Sequence, residues 1–183
     1  VPNSLLGGAP LIPGQVDTGG ATITGEDSFD AWLPRFNVLF RVNSQANLYA
    51  TVSKGRRSPV VQVNAGGASI VPQEVVWNYE GGLKFNSNIF SGSLGVYYQV
   101  YDDFQVSIPA PNGPAGTFVT VSAGSASNLG VEAEIAIQAT DWLNVFANLG
   151  YIDGGIDNEA GNGTFAGDRF RLQPERQAAG GFT

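Results

Sequence analysis

From Phe29 onward, apolar and polar residues alternate with a period of two. This is the pattern of strands that show one face to an apolar medium and the other to a polar one. In the first run, Phe36, Val38, Phe40 and Val42 share a face opposite Arg35, Asn37 and Arg41, with Leu39 as the exception. Pro34 has no N–H for a ladder, so the regular strand is expected to start after it. A second run sets Leu48, Ala50 and Val52 against Asn47, Tyr49, Thr51 and Ser53. A third sets Val75, Trp77, Tyr79, Leu83 and Phe85 against Asn78, Glu80 and Lys84. The fourth puts Leu94, Val96, Tyr98 and Val100 opposite Ser93, Tyr97, Gln99 and Tyr101, with a continuation toward Ile108. In the fifth, Leu129, Val131, Ala133, Ile135, Ile137 and Ala139 alternate with Asn128, Gly130, Glu132, Glu134, Ala136 and Gln138. The sixth places Leu143, Val145, Ala147, Leu149 and Tyr151 against Asn144, Phe146, Asn148 and Gly150, and a seventh is expected from about Arg169 past Pro174.

The connections between these runs are sorted by length. Short turns at 43–46, 86–90 and 140–142 alternate with long polar stretches at 55–73, 109–127 and 153–168. Outer-membrane barrels have short turns at one rim and long loops at the other. The strand cores also match the roughly 9–11 residues that a tilted membrane strand needs. The expectation is an all-β, antiparallel up-and-down meander of six to seven strands, forming part of a transmembrane barrel. A soluble β-sandwich remains the alternative, since its apolar strand faces would pack on a second sheet instead of lipid. In either case Leu129, Val131, Ile135 and Ile137 should share a face with Leu94, Val96, Leu143 and Val145. Glu80, Lys84, Gln99, Glu132, Glu134 and Asn144 should lie on the opposite face, which in a barrel is the lumen. Residues 1–28, rich in Gly, Pro, Ser and Thr, read as a loop, and under the barrel reading an extracellular one.

Composition narrows the chemistry. Charged residues make up 14% of the chain, well below the roughly 25% of ordinary globular domains. There is no Cys and no His, which removes thiolate metal sites, disulfides and the commonest general base. With no nucleotide-binding loop either, an enzyme is not expected, and nothing calls for a cofactor. The net charge of -7 argues against nucleic acid, whose binders carry a basic stripe. No apolar run approaches the roughly 18 residues of a membrane helix. The chain begins at Val1, contains no Met and stops inside a strand-like run, so it reads as a piece of a longer protein.

Several segments resemble, in order and spacing, the barrel of TonB-dependent receptors. They are YATVSKGRRSP (Tyr49–Pro59), PQEVVWNYEGGLKF (Pro72–Phe85), YYQVYDDFQV (Tyr97–Val106), GVE (Gly130–Glu132) and WLNVFANLGYID (Trp142–Asp153), with Pro174 where a following strand often opens. Arg56 departs from the pattern, which often has an aromatic residue there. The likeness spans residues 29–183. It implies an incomplete part of a barrel of about 22 strands around a separate plug, with the plug domain absent from this chain. It further implies location in the outer membrane of a Gram-negative bacterium, contact with outer-membrane lipid, and energy delivered by TonB through an N-terminal part not contained here. The function implied is active uptake of a scarce nutrient, most often a ferric siderophore. A passive porin or structural barrel is the rival reading.

Candidate residues follow from charge and placement. Lys54, Arg56 and Arg57 form the one basic cluster at the mouth of a long connection. They suit steering of an anionic ferric chelate, or pairing with lipopolysaccharide phosphate. Glu80 and Lys84 suit plug contact or a charge network on the lumen wall. Glu132 and Glu134, two residues apart on an open wall, lack the facing geometry of a glycosidase pair. Asp153, Asp157, Asn158, Glu159 and Asp168 offer oxygen donors for calcium but fail EF-hand spacing, so a solvated loop is the simpler reading. Trp77, Tyr79, Tyr98, Trp142 and Tyr151 are candidates for interfacial aromatic girdles. Asn162-Gly163-Thr164 is a glycosylation sequon by letter alone.

Overall fold

The structure, a computed structural model, describes residues 28–64, 67–111 and 115–183. Seven strands form one antiparallel sheet: β1 (Arg35–Arg41), β2 (Ala46–Arg57), β5 (Glu74–Asn86), β6 (Phe90–Asp102), β9 (Ala126–Thr140), β10 (Leu143–Ile156) and β11 (Arg176–Phe182). Two further hairpins, β3 (Val60–Asn64) with β4 (Gly67–Val71) and β7 (Gln105–Pro109) with β8 (Phe118–Ser122), stand at one end of it. The spatial order β1-β2-β5-β6-β9-β10-β11 follows the chain, each main strand pairing with the next. β1 and β11 are the two free edges, so the described strands do not close a barrel by themselves.

Register fixes the faces, because residues directly opposite each other across a ladder point the same way. One row runs Val38–Ala50–Gly81–Val96–Val131–Tyr151, and the next runs Phe36–Val52–Tyr79–Tyr98–Leu129. The intervening row on the opposite face runs Asn37–Thr51–Glu80–Tyr97–Gly130. The apolar set Leu94, Val96, Leu129, Val131, Ile135, Ile137 and Val145 therefore does share a face. Leu143 joins it only through a register shift between Leu143 and Asn144.

Among the described residues, nothing covers that apolar face. Phe36, Val38, Leu94, Val96 and Leu149 all keep 45% or more of their surface exposed. The buried hydrophobic residues among those described are Val71, Ala123, Ala126 and Ile156, all at the hairpin end. A sandwich would bury the strand faces against a second layer; this sheet is a single layer.

The charges are distributed as lipid contact requires. The apolar face carries no charged residue from Leu48 to Val52, Trp77 to Phe85, Phe90 to Val100, Leu129 to Ile137 or Val145 to Tyr151. Aromatic residues mark both ends of this stretch. Phe85 and Phe90 meet at 5.5 Å near the short turns, and Trp77 stacks on Tyr79 at 6.4 Å toward the long connections. Phe90 and Tyr98 lie eight residues apart on β6, about 26 Å along the strand. Tilt shortens this to about 20 Å, of the order of the apolar band of outer-membrane barrels.

The long connections are more ordered than the sequence pattern suggests. β2 runs on to Arg57, and the stretch 55–73 contains the β3–β4 hairpin. The stretch 109–127 contains β8, paired with β7. β6 does not continue smoothly to Ile108: the chain breaks at Asp103, whose φ of 54° is left-handed, and resumes as β7. β10 reaches Ile156, followed by a short 3-10 helix at Ala160–Phe165. The last strand starts at Arg176 instead of near Arg169, which makes only an isolated bridge to Gly155. These stretches hide strands because each run is only five residues long and lies among Gly, Pro, Ser and Asn: Val106 and Ile108 alternate with Gln105 and Ser107, and Val119 and Val121 with Thr120 and Ser122, but too briefly to stand out. The loop assigned to residues 1–28 lies outside the described residues, apart from its final position.

Candidate functional site

The polar face of the sheet is built from tyrosines lying on glycines. Tyr49 of β2 leans across Gly82 of β5 toward Gly95 of β6. A Cβ at Gly82 would fall 2.6 Å from its ring, and one at Gly95 would fall 3.2 Å from its hydroxyl. Tyr97 of β6 lies in the same manner over Gly130 of β9. Only residues without a Cβ allow a ring to lie flat on the neighbouring strand. The Tyr49 hydroxyl lies near the Glu80 carboxylate, and the Lys84 ammonium sits over the Tyr49 ring at 5.4 Å. Asn37 donates to the buried Thr51 hydroxyl at 3.0 Å.

Next to this shelf, Ser53, Asn78, Gln99 and Asn128 occupy one register row across four strands. The Asn128 amide and the Tyr101 hydroxyl both donate to Gln99 Oε1, at 3.1 and 3.0 Å. A shallow depression of about 370 Å³ is lined by Ser53, Asn78, Glu80, Tyr97, Gln99 and Glu132. A second, of about 390 Å³, includes Glu132, Glu134, Asn148 and Gln177.

Side-chain amides hold the long connections together at the sheet's far end. Gln62 of β3 makes a two-way bond with Thr120 of β8, Nε2 donating to its carbonyl at 2.8 Å and Oε1 accepting from its N–H at 2.9 Å. Gln105, itself buried, donates to the carbonyls of Ser58 and Pro72, while its N–H reaches the Glu74 carboxylate at 2.8 Å. Arg57 donates to the Gln105 carbonyl at 3.4 Å. The two hairpins are thus joined at their roots and along their sides. Below them, Ala123, Ala126 and Ile156 form a small core with Tyr101, Phe104, Phe165 and Phe170, in which Phe104 stacks on Phe170 at 4.7 Å. Replacing Gln62 with Ala should remove both bonds to Thr120. At about 1 kcal/mol per bond, amide exchange in β3–β4 and β7–β8 should rise at least tenfold while exchange in β5, β6 and β9 stays unchanged. Hydrogen exchange of the intact protein reads this directly.

The sequence-derived candidates are placed as follows. Glu80, Lys84, Gln99, Glu132, Glu134 and Asn144 all sit on the polar face by register. Glu80 and Lys84 do not pair with each other. Tyr49 stands between them, and the ion pairs among the described residues are Arg169 with Asp153 and with Glu175. The cluster Lys54, Arg56 and Arg57 is in a strand, not a loop, and is split by it. Lys54 and Arg56 share the apolar face with their partners Trp77 and Val75, whereas Arg57 pairs with Glu74 on the polar face. The acids of 153–168 are dispersed: Asp153 meets Arg169 and Asp157 accepts from the Ser127 hydroxyl at 2.7 Å. No group of three acidic side chains able to hold a metal occurs among the described residues. Asn162 of the sequon is buried, its amide donating to Ser125 and to the Asp157 carbonyl. Sequence pattern missed Tyr49 and Tyr97 as organisers, because their glycine partners lie on other strands and meet them only once register is known.

A single-layer meander with one apolar face whose central stretch on five strands carries no charge, an opposite face bearing amides and carboxylates, and connections sorted by length defines a segment of an outer-membrane-type β-barrel wall. The chain matches the family described as TonB dependent receptor-like, beta-barrel, over residues 13–183, and belongs to it. In fold it is similar to the ferric yersiniabactin uptake receptor FyuA from Yersinia pestis (TM-score 0.66, 18% identity, covering 82% of this chain and 22% of that one). It is also similar to the siderophore receptor PirA from Pseudomonas aeruginosa (TM-score 0.58, 17% identity, 69% of this chain and 29% of that one). A third is the FrpB iron transporter from Neisseria meningitidis (TM-score 0.54, 18% identity, 67% of this chain and 19% of that one). The chain thus spans under a third of the length of these structures.

Proposed function

We propose that this chain forms part of the barrel wall of an active importer in the outer membrane of a Gram-negative bacterium, and that the importer takes up a ferric siderophore under TonB control. The observation that carries this reading is the strict separation of faces. On one face five neighbouring strands carry a band without charge, while Glu80, Lys84, Glu132 and Glu134 lie on the other. An inner face this polar suits a barrel that holds a plug, and the tyrosine shelf with Gln99 and Asn144 is the surface offered to that plug. Arg57, inward-facing and tied to the joined hairpins, is the cation placed to meet an anionic chelate at the entrance. The choice of ligand class is supported by the fold neighbours, two of which are receptors for siderophores or ferric siderophores and one an iron transporter.

The test is uptake of radioiron-labelled siderophores by iron-starved cells carrying or lacking the full-length gene. Uptake should depend on that gene and collapse when TonB is deleted or the proton gradient is discharged. Uptake that persists without TonB and rises linearly with concentration would instead establish a passive porin.

A further inference from the structure

Three of the chain's nine Lys and Arg residues project from the sheet's apolar face: Lys54, Arg56 and Arg176. Lys54 and Arg56 lie at the end bearing the long connections, whereas Arg176 opens the edge strand β11 opposite Tyr151. Lys54 and Arg56 stand together on β2, two residues apart and pointing the same way, directly above the charge-free stretch. The Lys54 ammonium lies 5.6 Å from the Trp77 ring centroid and has no hydrogen-bond or ion-pair partner among the described residues. The Arg56 guanidinium lies 4.6 Å from the Phe29 ring centroid and uses one donor on Gln73 Oε1, at 3.4 Å. The nearest acid in its row is Asp102, two strands away across Val75, about 10 Å off. Beneath the two cations lies a shelf of Val52, Tyr79 and Tyr98.

A protein with a net charge of -7 has no electrostatic need for two unpaired cations on its lipid-facing side. Their level is the boundary where cations are tolerated in a barrel wall and anionic headgroups attract them. Arginine can grip a phosphate through two parallel N–H bonds, and lysine adds a compact charge beside it. The aromatic shelf just below suits sugar rings and the first methylenes of acyl chains.

We propose that Lys54 and Arg56 form a binding site on the outer wall for a phosphorylated, acylated glycolipid of the outer leaflet. The site takes the lipid phosphate between the two cations and lays the lipid body on the Trp77–Tyr79–Tyr98 shelf. It rests on the membrane placement proposed above, and it assigns these two residues to the lipid instead of to the transported ligand.

The experiment uses the full-length receptor purified in mild detergent, with retained lipid counted by native mass spectrometry after addition of bis-phosphorylated lipid A. The wild type should retain the lipid, and K54Q/R56Q should lose at least tenfold in apparent affinity. Arg41→Gln, whose side chain is on the other face, should bind as the wild type does. Lipid A stripped of its phosphates should bind the wild type no better than intact lipid binds K54Q/R56Q. Excess inorganic phosphate should fail to displace the intact lipid, since the shelf contributes to binding. Equal retention by K54Q/R56Q and wild type, or by intact and dephosphorylated lipid, overturns the proposal. Heat-modifiable migration on gels reports separately whether the protein is a folded membrane barrel. A protein that stays soluble and monomeric without detergent overturns the membrane reading itself, and this site with it.

Discussion

Val96→Arg should destabilise the membrane-embedded full-length barrel by about 2–4 kcal/mol, whereas Ser93→Arg should cost well under 1 kcal/mol. The two positions are three residues apart on β6 and therefore on opposite faces. Val96 is flanked by Gly81 and Val131 in the middle of the charge-free stretch. A guanidinium there must either enter hydrocarbon or bend a long way to reach headgroups. Ser93 is flanked by Lys84 and Glu134 on the polar face. An arginine added there meets water and a carboxylate, and the exposed ion pair it gains is worth little. Reversible urea unfolding in lipid vesicles, followed by tryptophan fluorescence and gel migration, measures both values. Equal costs at the two sites would mean that the apolar face does not meet lipid.

The contrast between these two residues was legible in the sequence, and the reason is physical. Where one face of a strand meets hydrocarbon, every second residue is constrained for the whole crossing, so the alternation of β9 from Leu129 to Ile137 survives in plain form. The same alternation sets Glu80, Lys84, Gln99, Glu132, Glu134 and Asn144 on one face of the sheet. It stops where lipid stops. β3, β4, β7 and β8 are five residues each and lie among turn-forming residues, so short apolar pairs such as Val106 with Val121 and Ile108 with Val119 do not stand out in the sequence, and the amides that join the two hairpins, Gln62 and Gln105, carry no periodic signal. The basic cluster shows the same limit. Lys54, Arg56 and Arg57 are close in the chain and look like one feature, but a strand sends neighbours to opposite sides. Only the extension of β2 to Arg57 reveals that two of them share the apolar face and the third lies on the polar one. Likewise, Asn128 and Gln99 are far apart in sequence and are joined only by the β6–β9 register.

Gly130→Ala should destabilise the folded barrel by about 1–3 kcal/mol, and most of that cost should vanish when Tyr97 is also replaced by Ala. A Cβ at Gly130 would penetrate the Tyr97 ring, whose Cζ, hydroxyl oxygen and Cε1 all lie within the space it needs. The ring cannot simply lift away at no loss. Its present position lays aromatic surface on the bare backbone of β9, and turning it outward gives up those contacts. Tyr97→Ala alone should cost less than Gly130→Ala alone, because the polar face is already wet and the cavity left would open to solvent. The double variant then lacks the clash and resembles Tyr97→Ala, which yields a favourable coupling of the order of 1–2 kcal/mol. Gly95→Ala provides the comparison, since its nearest neighbour is the Tyr49 hydroxyl at 3.2 Å, the free end of a side chain that can give by a few tenths of an ångström. It should be tolerated at well under 1 kcal/mol. Urea midpoints of the four proteins of the Gly130–Tyr97 cycle, measured in the same vesicles, decide the matter. Additive effects would show that Tyr97 does not rest on Gly130 in the membrane, and that the inner shelf is built some other way.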